Sequence, residues 1–380
     1  MNRHLYIDTY VLQDVPPSNI NRDDTGTPKQ AIYGGANRLR VSSQAWKRAS
    51  RLAFVDHVPP SQLGVRTRQL ARLLSDRLQL HGVDDATAER LAGAAARSLG
   101  ITAGKKDAHL AYLVFFAQSQ VDEIVRRVLE QVDVLAALDD KQLDEQVKTI
   151  DVKGVLGQGH SLDVALFGRM VADLADLNVD AATQVAHALS THATQTDFDY
   201  FTAVDDVQEA GETGAGMISS VEFNSATLYR YATLGVHQLL ENLSDEQATV
   251  DGVVEFLRAF TLSMPAGHKT SFAPHTRPGF VGVVIRSDQP VNLVSAFEEP
   301  VSADHGTFQP SLSALAQFFV GEAVRWGDTP VATLASYRTP ADASLVAEAF
   351  GPSLSFDDLL LAVRSRVSDW LGASHESERQ

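Results

Sequence analysis

The triplet Val58-Pro59-Pro60 constrains this chain more than any other short stretch, because the sequence changes character there. Adjacent prolines remove backbone donors and end a regular element that reaches them. Ahead of the break, residues 4–13 (HLYIDTYVLQ) are rich in β-formers and run up to Pro16-Pro17, which predicts an opening strand. Behind it, apolar residues recur at helical spacing three times. Residues 68–80 carry Leu70, Leu73, Leu74 and Leu78, and residues 86–99 carry Ala88, Leu91, Ala95 and Leu99. Residues 121–138 repeat the pattern through Ile124, Val125, Val128, Leu129, Val132 and Leu135. The spacing predicts a helical insertion over residues 57–180. A β-then-α start fits a ferredoxin-like α+β core, although pattern alone does not select that fold. At 380 residues the chain is too long for one simple core and is expected to divide into subdomains.

After the insertion the pattern turns mixed. Residues 199–223 read as a hairpin arm: Tyr200 to Val204 is strand-like, Gly211, Gly214 and Gly216 make a tip, and residues 217–223 return. A tip with three glycines cannot pack on itself, so the arm is expected to project and dock elsewhere. Residues 227–234 alternate around Tyr229 and Tyr231 as a strand, and residues 253–264 read as a helix ended by Pro265. Residues 280–285 are apolar throughout, as a buried strand would be. Residues 312–324 and 356–371 read as closing helices, with 373–380 as a frayed polar tail.

Residues 21–51 (NRDDTGTPKQAIYGGANRLRVSSQAWKRASR) carry the chemistry. Seven cations, Arg22, Lys29, Arg38, Arg40, Lys47, Arg48 and Arg51, face only Asp23 and Asp24, a local balance of +5 in a chain of formal charge −16. A concentrated positive site on an acidic background points to a polyanion ligand. Pro28, Gly34 and Gly35 predict an irregular first half whose backbone follows a ligand closely. Arg38-Leu39-Arg40-Val41 alternates as a short strand with its charged side outward. Ser42 or Ser43 then caps a helix that packs through Ala45, Trp46, Ala49, Leu52 and Ala53, with Lys47, Arg48 and Arg51 in a stripe beside that face. Amides at the helix start attract phosphate, and cations one turn later reinforce them. The plain alternative is an ordinary solvated helix face. The binding set expected here is Arg22, Lys29, Ser42, Gln44, Lys47, Arg48 and Arg51, reading phosphate and sugar rather than base edges. The acidic total argues against a general nucleic-acid coat and is reconciled by asymmetry, a basic groove with acidic outer surfaces.

Other chemistry is poorly supported. With no cysteine there is no disulfide framework or thiolate metal site, and a cytoplasmic home fits. The first ten residues lack an apolar signal core, and no run approaches ~18 apolar residues, so no membrane span is expected. Gly154-Val155-Leu156-Gly157-Gln158-Gly159-His160 lacks the lysine of a phosphate loop and reads as a turn. His187 and His192, five apart on an expected helix, lie about 140° from a common face and make poor joint metal ligands. No cofactor and no metal are expected.

The wording of these segments resembles the CasC family, the RNA-binding backbone subunit of the type I-E CRISPR surveillance complex, Cascade. INRDD, KQAIYGG and RLRVSSQAWKRA carry the resemblance first; DVALFGRM (163–170), TQVAHALSTH (183–192), DYFTAVDD (199–206), EFNSATLYRYA (222–232) and MPAGHKTSFAPH (264–275) follow in order. The resemblance implies an RNA-recognition-motif-like palm (residues 1–56, a palm helix at 181–193, and 225–380), helical fingers (57–180) and a β-hairpin thumb (194–224). It places Tyr200 and Phe201 where the family has its RNA-contacting aromatic pair. Phe201, which opens the arm and is helped by Tyr200, and Met170, which adjoins Arg169 as a candidate phosphate partner, are expected to act as wedges between bases; the plain alternative buries all three in ordinary core. Relatives carry a basic residue directly after the glycine at 267; here that place holds His268 with Lys269 next to it, and either is a candidate contact. The implied partners are a CRISPR guide RNA, target DNA through that guide, neighbouring copies of the chain in head-to-tail assembly, and other Cascade subunits. No cleavage is implied. Two other readings compete. One is an RNA-cleaving relative using Asp23 or Asp24, against which these aspartates are expected to pair with Arg22, Lys29 or an adjacent cation. The other is a single-copy adaptor that binds only protein.

Overall fold

A computed structural model describes residues 4–101, 110–203 and 217–378 of the chain. In chain order its strands are β1 (Tyr6–Ser18), β2 (Gln30–Tyr33), β3 (Ala36–Val41), β4 (Gly64–Thr67), β5 (Val114–Ala117), β6 (Thr183–Val185), β7 (Ala188–Ser190), β8 (Asp197–Ala203), β9 (Met217–Gly235), β10 (Phe280–Arg286) and β11 (Ala332–Tyr337). The chain forms two units. The first comprises Met1–Ala53, Gln184–Gly235 and Val253–Gln380, the second Phe54–Thr183 and Val236–Gly252.

The first unit is built on an antiparallel sheet in the order β11-β10-β1-β9-β7-β3-β2. β1 is central, with Tyr10 facing Gly282 on one side and Tyr231 on the other. Paired on both edges and covered on both faces, residues 7–12 are buried without alternation. Pro16 and Pro17 lie inside this strand instead of ending it. The register shifts between Val15 and Ser18, where prolines without N–H groups interrupt the ladder. Tyr10, Leu12, Tyr229, Tyr231 and Phe280 pack on one face against Leu312, Leu315 and Phe319 of the helix Phe308–Trp326. That apolar burial, at ~25 cal/mol per Å², is the main stabilising contribution.

Between Tyr229 and Tyr231 on β9, Arg230 points to the opposite face. There its guanidinium lies 3.7 Å over the ring of Trp46 and 4.7 Å over that of Phe260. It donates to Gln13 Oε1 at 2.6 Å and to the Phe260 carbonyl, and burial pushes it down to about 9. Arg286 is buried in a different way, ion-paired with Asp8 at 3.0 Å and with Asp328.

The helix expected at 181–193 is not formed; those residues hold β6 and β7. β7 pairs with β3 at Arg40↔Leu189 and with β9 at Leu189↔Tyr229, so ladder pairing on both sides overrides a locally helix-compatible composition. The expected frayed tail is also corrected, since the helix Phe356–Glu378 continues through residues 373–378. Neither β11 nor the helix Ala343–Phe350 was anticipated.

Helix α1 (Ser43–Ala53) closes the first part of the first unit. In the second unit α2 (Leu70–Leu80), α3 (Asp85–Arg97), α4 (Gln118–Leu129) and α5 (Val132–Ala137) bury the periodic residues, among them Leu70, Leu74, Leu78, Leu91, Ala95, Ile124, Val128 and Leu135. The single helix expected at 121–138 is two, interrupted at Gln131, whose backbone leaves the helical region (φ −126, ψ 15). β4 and β5 form a separate two-stranded sheet. Residues 152–156 are helical, and the expected turn begins only at Gly157.

Candidate nucleic-acid interface

The basic segment is more ordered than its glycines and proline imply. Asn19 Nδ2 donates to the carbonyls of Gly26 at 2.8 Å and Glu222 at 3.0 Å, closing a loop and tying it to β9. Inside the loop Asp23 accepts from Thr25 N at 2.9 Å, Thr25 Oγ1 at 2.7 Å and Thr27 N at 3.1 Å. These bonds, the Thr25 hydroxyl first, hold its carboxyl below the usual range. Asp23 therefore serves as a turn acceptor, and among the described residues neither aspartate makes the expected ion pair with Arg22, Lys29 or an adjacent cation. Among the described residues no group of three or more His, Asp or Glu side chains is placed to hold a metal ion.

The chain next forms a hairpin. β2 pairs with β3 from Gln30↔Leu39 to Tyr33↔Ala36, and Gly34 and Gly35 turn it with φ of 56° and 71°. Gly34 is obligatory for a second reason, since a Cβ there would lie 1.6 Å from the Glu298 carbonyl oxygen. β3 does not present its cations outward as expected. Arg38 is wholly buried, donating to the carbonyls of Ser190 at 3.0 Å, Phe297 at 2.8 Å and Glu298 at 3.2 Å. Arg40 reaches the Gln30 carbonyl at 3.2 Å and His187 Nδ1 at 3.1 Å. Burial, then Arg40 and Lys29, lower the pKa of His187, which keeps that ring neutral as an acceptor.

Ser42 ends β3 and caps α1. Its backbone N–H donates to Asn21 Oδ1 at 2.8 Å, and its Oγ accepts from Ala45 N at 3.3 Å. Ser42 is itself buried, so its hydroxyl positions the helix start rather than facing outward. Trp46 and Ser50 form the buried side of α1, whereas Leu52, expected in the packing face, is exposed. Gln44 and Arg48 are exposed, and Lys47 and Arg51 half-buried. Burial alone pulls the Lys47 ammonium down from its ordinary value. Among the described residues Arg22, Lys29, Lys47 and Arg48 form no ion pair with a carboxylate.

Two further elements meet this segment. A Cβ on Gly267 would come within 2.6 Å of the Asn19 carbonyl and 2.5 Å of that of Ile20, so the 267–272 turn leans on the root of the basic loop. His268 adopts a left-handed backbone (φ 45) with its ring edge-on to Phe272, and Lys269 is exposed. Phe272 in turn meets Phe223 at 5.7 Å, at the root of the arm formed by β8 and β9. On that arm Tyr200 and Phe201 are 65% and 42% exposed. They pair with Ser220 and Ser219 and, as neighbours on a strand, point to opposite faces rather than acting as one pair. The glycine tip lies outside the described residues.

In the second unit, Met170 is 83% exposed. Arg169 is the clearest correction. It is buried, and its guanidinium donates to the carbonyls of Leu177 and Leu156 at 2.7 Å and Phe115 at 3.3 Å. Burial pushes it down to about 10, and the guanidinium is enclosed and turned to backbone carbonyls instead of outward to a phosphate. Its place beside the exposed Met170 in the sequence gave no sign of this. Arg230, beneath α1, was missed altogether; an arginine inside an apolar alternating strand was the available signal.

The sequence model of the CT1975-like protein family matches residues 7–361. No curated protein matches the chain. Among solved structures, a chain of a "CRISPR RNA-guided surveillance complex, pre-nicking" aligns with TM-score 0.81 at 29% identity, covering 95% of this chain and 100% of its own. Another, from a "CRISPR RNA-guided surveillance complex", aligns with TM-score 0.62 at 26% identity, covering 95% of this chain and 99% of its own. With the match spanning nearly the whole sequence, the chain belongs to the CT1975-like family, the CasC type of surveillance-complex subunit.

Proposed function

We propose that this chain is a non-catalytic RNA-binding backbone subunit of a cytoplasmic CRISPR surveillance complex in antiviral defence. It holds a guide RNA by phosphate and sugar through Arg22, Lys29, Gln44, Lys47, Arg48 and Arg51, with His268 or Lys269 at the margin. The observation that carries the reading is the set Arg22, Lys29, Lys47 and Arg48, which among the described residues form no ion pair with a carboxylate although the chain has a formal charge of −16. Unneutralised cations raise the local potential for a polyanion, and contacts to phosphate carry no base preference. The antiparallel sheet of the first unit acts as the palm, the β8–β9 arm as the thumb and the second unit as the fingers. Copies assemble head to tail along the RNA, an open arrangement whose length the RNA sets. Phe201 and Met170 act as wedges that turn a base aside, so the remaining bases are presented for pairing with target DNA and recognition is delegated to that pairing. Asp23, engaged by Thr25 and Thr27, favours this scaffold over a cleaving relative.

The test is the state of the purified chain. Expected are an absorbance ratio at 260 against 280 nm typical of bound RNA, assemblies larger than one copy, and intact RNA after prolonged incubation with Mg²⁺. A clean monomer would favour the protein-only adaptor, and a cleaved product lost in Asp24→Ala would favour the nuclease.

A further inference from the structure

The arm carries its aromatic side chains unequally on two faces. Register pairs Phe198 with Glu222, Tyr200 with Ser220 and Phe201 with Ser219. Since side chains alternate along a strand, Phe198 and Tyr200 share one face, and Phe201 lies on the other with Asp197 and Asp199. Phe198 is 68% exposed, slightly more than Tyr200, and among the described residues neither ring has an aromatic partner. Two residues along a strand separate such rings by roughly 6.8 Å. The rise of a stacked nucleotide strand is about 3.4 Å, so a gap of two layers admits one flat base between two rings.

We propose that Phe198 and Tyr200 form a slot that takes one unstacked base of single-stranded RNA, distinct from any wedge made by Phe201. The inference rests on the RNA-binding reading above and adds a residue to it. Three observations favour RNA as the occupant. Phe198 pairs with Glu222, whose carbonyl shares the Asn19 amide with Gly26, so the slot opens at the root of the loop that carries Arg22. The phosphates of a strand entering there meet cations. On the far face Asp197 and Asp199 repel phosphate, and on the near face the Glu222 carboxylate rejects phosphate while accepting the amine of a neutral base. Stacking between rings needs no base-specific contact, which suits a guide of any sequence.

The experiment uses the full chain and short single-stranded RNA oligomers in which 2-aminopurine replaces one base at successive positions. Wild-type protein should quench the fluorophore strongly at a subset of positions. Phe198→Ala should abolish that quenching and weaken binding by about five- to a hundredfold, the range expected for one base–aromatic stack. Phe198→Trp should retain the quenching, and Phe198→Leu should lose it although it keeps an apolar side chain. Because residue 198 is exposed, the folded state should be unaffected, which circular dichroism verifies. If wild type binds RNA but Phe198→Ala binds equally and quenches equally, the slot is overturned and the RNA-binding reading stands. If Phe198→Ala and Phe198→Leu differ only in self-association, the face docks a second copy and the slot is again overturned. Failure of the wild type to bind RNA at all removes both.

Discussion

In the second unit, surface cations stand beside carboxylates: Arg77 with Asp122, Arg97 at 2.7 Å from Asp144, Arg127 at 2.8 Å from Glu123, Lys153 at 2.7 Å from Asp176, and Arg126 between Glu123 and Glu130. In the first unit, Arg22, Lys29, Lys47 and Arg48 have no such partner among the described residues. The chain holds 48 acids against 32 Lys and Arg, so an average surface would neutralise every cation it exposed. Four remain unneutralised within one segment, even though Asp23 and Asp24 follow Arg22 directly, and Asp23 is taken up by Thr25 and Thr27. Paired charges stabilise a fold modestly, while unpaired ones leave their field available to a ligand. Charge in the second unit is engaged within the fold, and under the proposed function the four unpaired cations of the basic segment serve the RNA.

The strongest test of that contrast replaces Arg22, Lys29, Lys47 and Arg48 together by alanine. At roughly 0.7 per single-strand phosphate contact, the slope of log affinity against log salt should fall by about 2.8. Extrapolated from 1 M, that is a loss on the order of several hundredfold at 0.1 M salt. Stability to urea should change little, because no ion pair with a carboxylate is removed and only the half-buried stems of Lys29 and Lys47 lose packing. Arg97→Ala is the matched control, costing about 0.2–1 kcal/mol for an exposed pair and leaving the salt slope as it was. A quadruple variant that unfolds readily, or an Arg97→Ala that loses RNA, would erase the distinction.

Arg169 sharpens the comparison from the buried side. Arg169→Ala removes one donor from each of the carbonyls of Leu177, Phe115 and Leu156, of which Leu156 keeps Gln120 Nε2 at 3.2 Å. At about 1–3 kcal/mol for a buried group left unsatisfied, the free energy of unfolding in urea should drop by roughly 1–3 kcal/mol. RNA affinity of the protein that remains folded should be unchanged. An Arg169→Ala variant of full stability and weakened RNA binding would return this residue to the interface.

These assignments also mark where sequence stops being informative. The helices α2 and α3 were legible because Leu70, Leu74 and Leu78, and Ala88, Leu91 and Ala95, declare a 3.6-residue period on their own. The unpartnered cations were legible as a local excess of charge. Arg38 and Arg169 were not, since the carbonyls that bind them come from distant parts of the chain: Ser190 and Phe297 for the one, Phe115 and Leu156 for the other. Residues 188–190 looked helix-compatible and became a strand because β3 and β9 flank them, a fact of tertiary pairing. Tyr200 and Phe201 read as a pair through adjacency, yet on a strand adjacency separates side chains and a spacing of two unites them. The Gly34-Gly35 turn, like Arg230, was a miss with a local signal, here a glycine pair between two strand-like runs.

The smallest expected effect lies in how the second unit responds to acid. Glu123 accepts from Arg126 Nη2 at 2.7 Å and Nε at 2.8 Å, and from Arg127 Nε at 2.8 Å. Those bonds, Arg126 first and then Arg127, lower its pKa from the ordinary 4.5 to about 2. A carboxylate whose folded pKa is depressed binds fewer protons in the native state than in the unfolded one. Its contribution is therefore fully present above pH 4.5 and is lost as pH falls from there toward about 2. Glu123→Gln removes the titrating group, so urea unfolding should depend less steeply on pH in that window than it does for wild type. The site is on the surface, so salt should shrink the difference. Arg22→Ala and Arg48→Ala should leave the same window untouched, because no carboxylate of the fold depends on either cation. If wild type and Glu123→Gln lose stability in parallel between pH 4.5 and 2, this charge network holds nothing together. The pairing of the second unit would then be mere proximity, and only the basic segment would owe its charge pattern to a function.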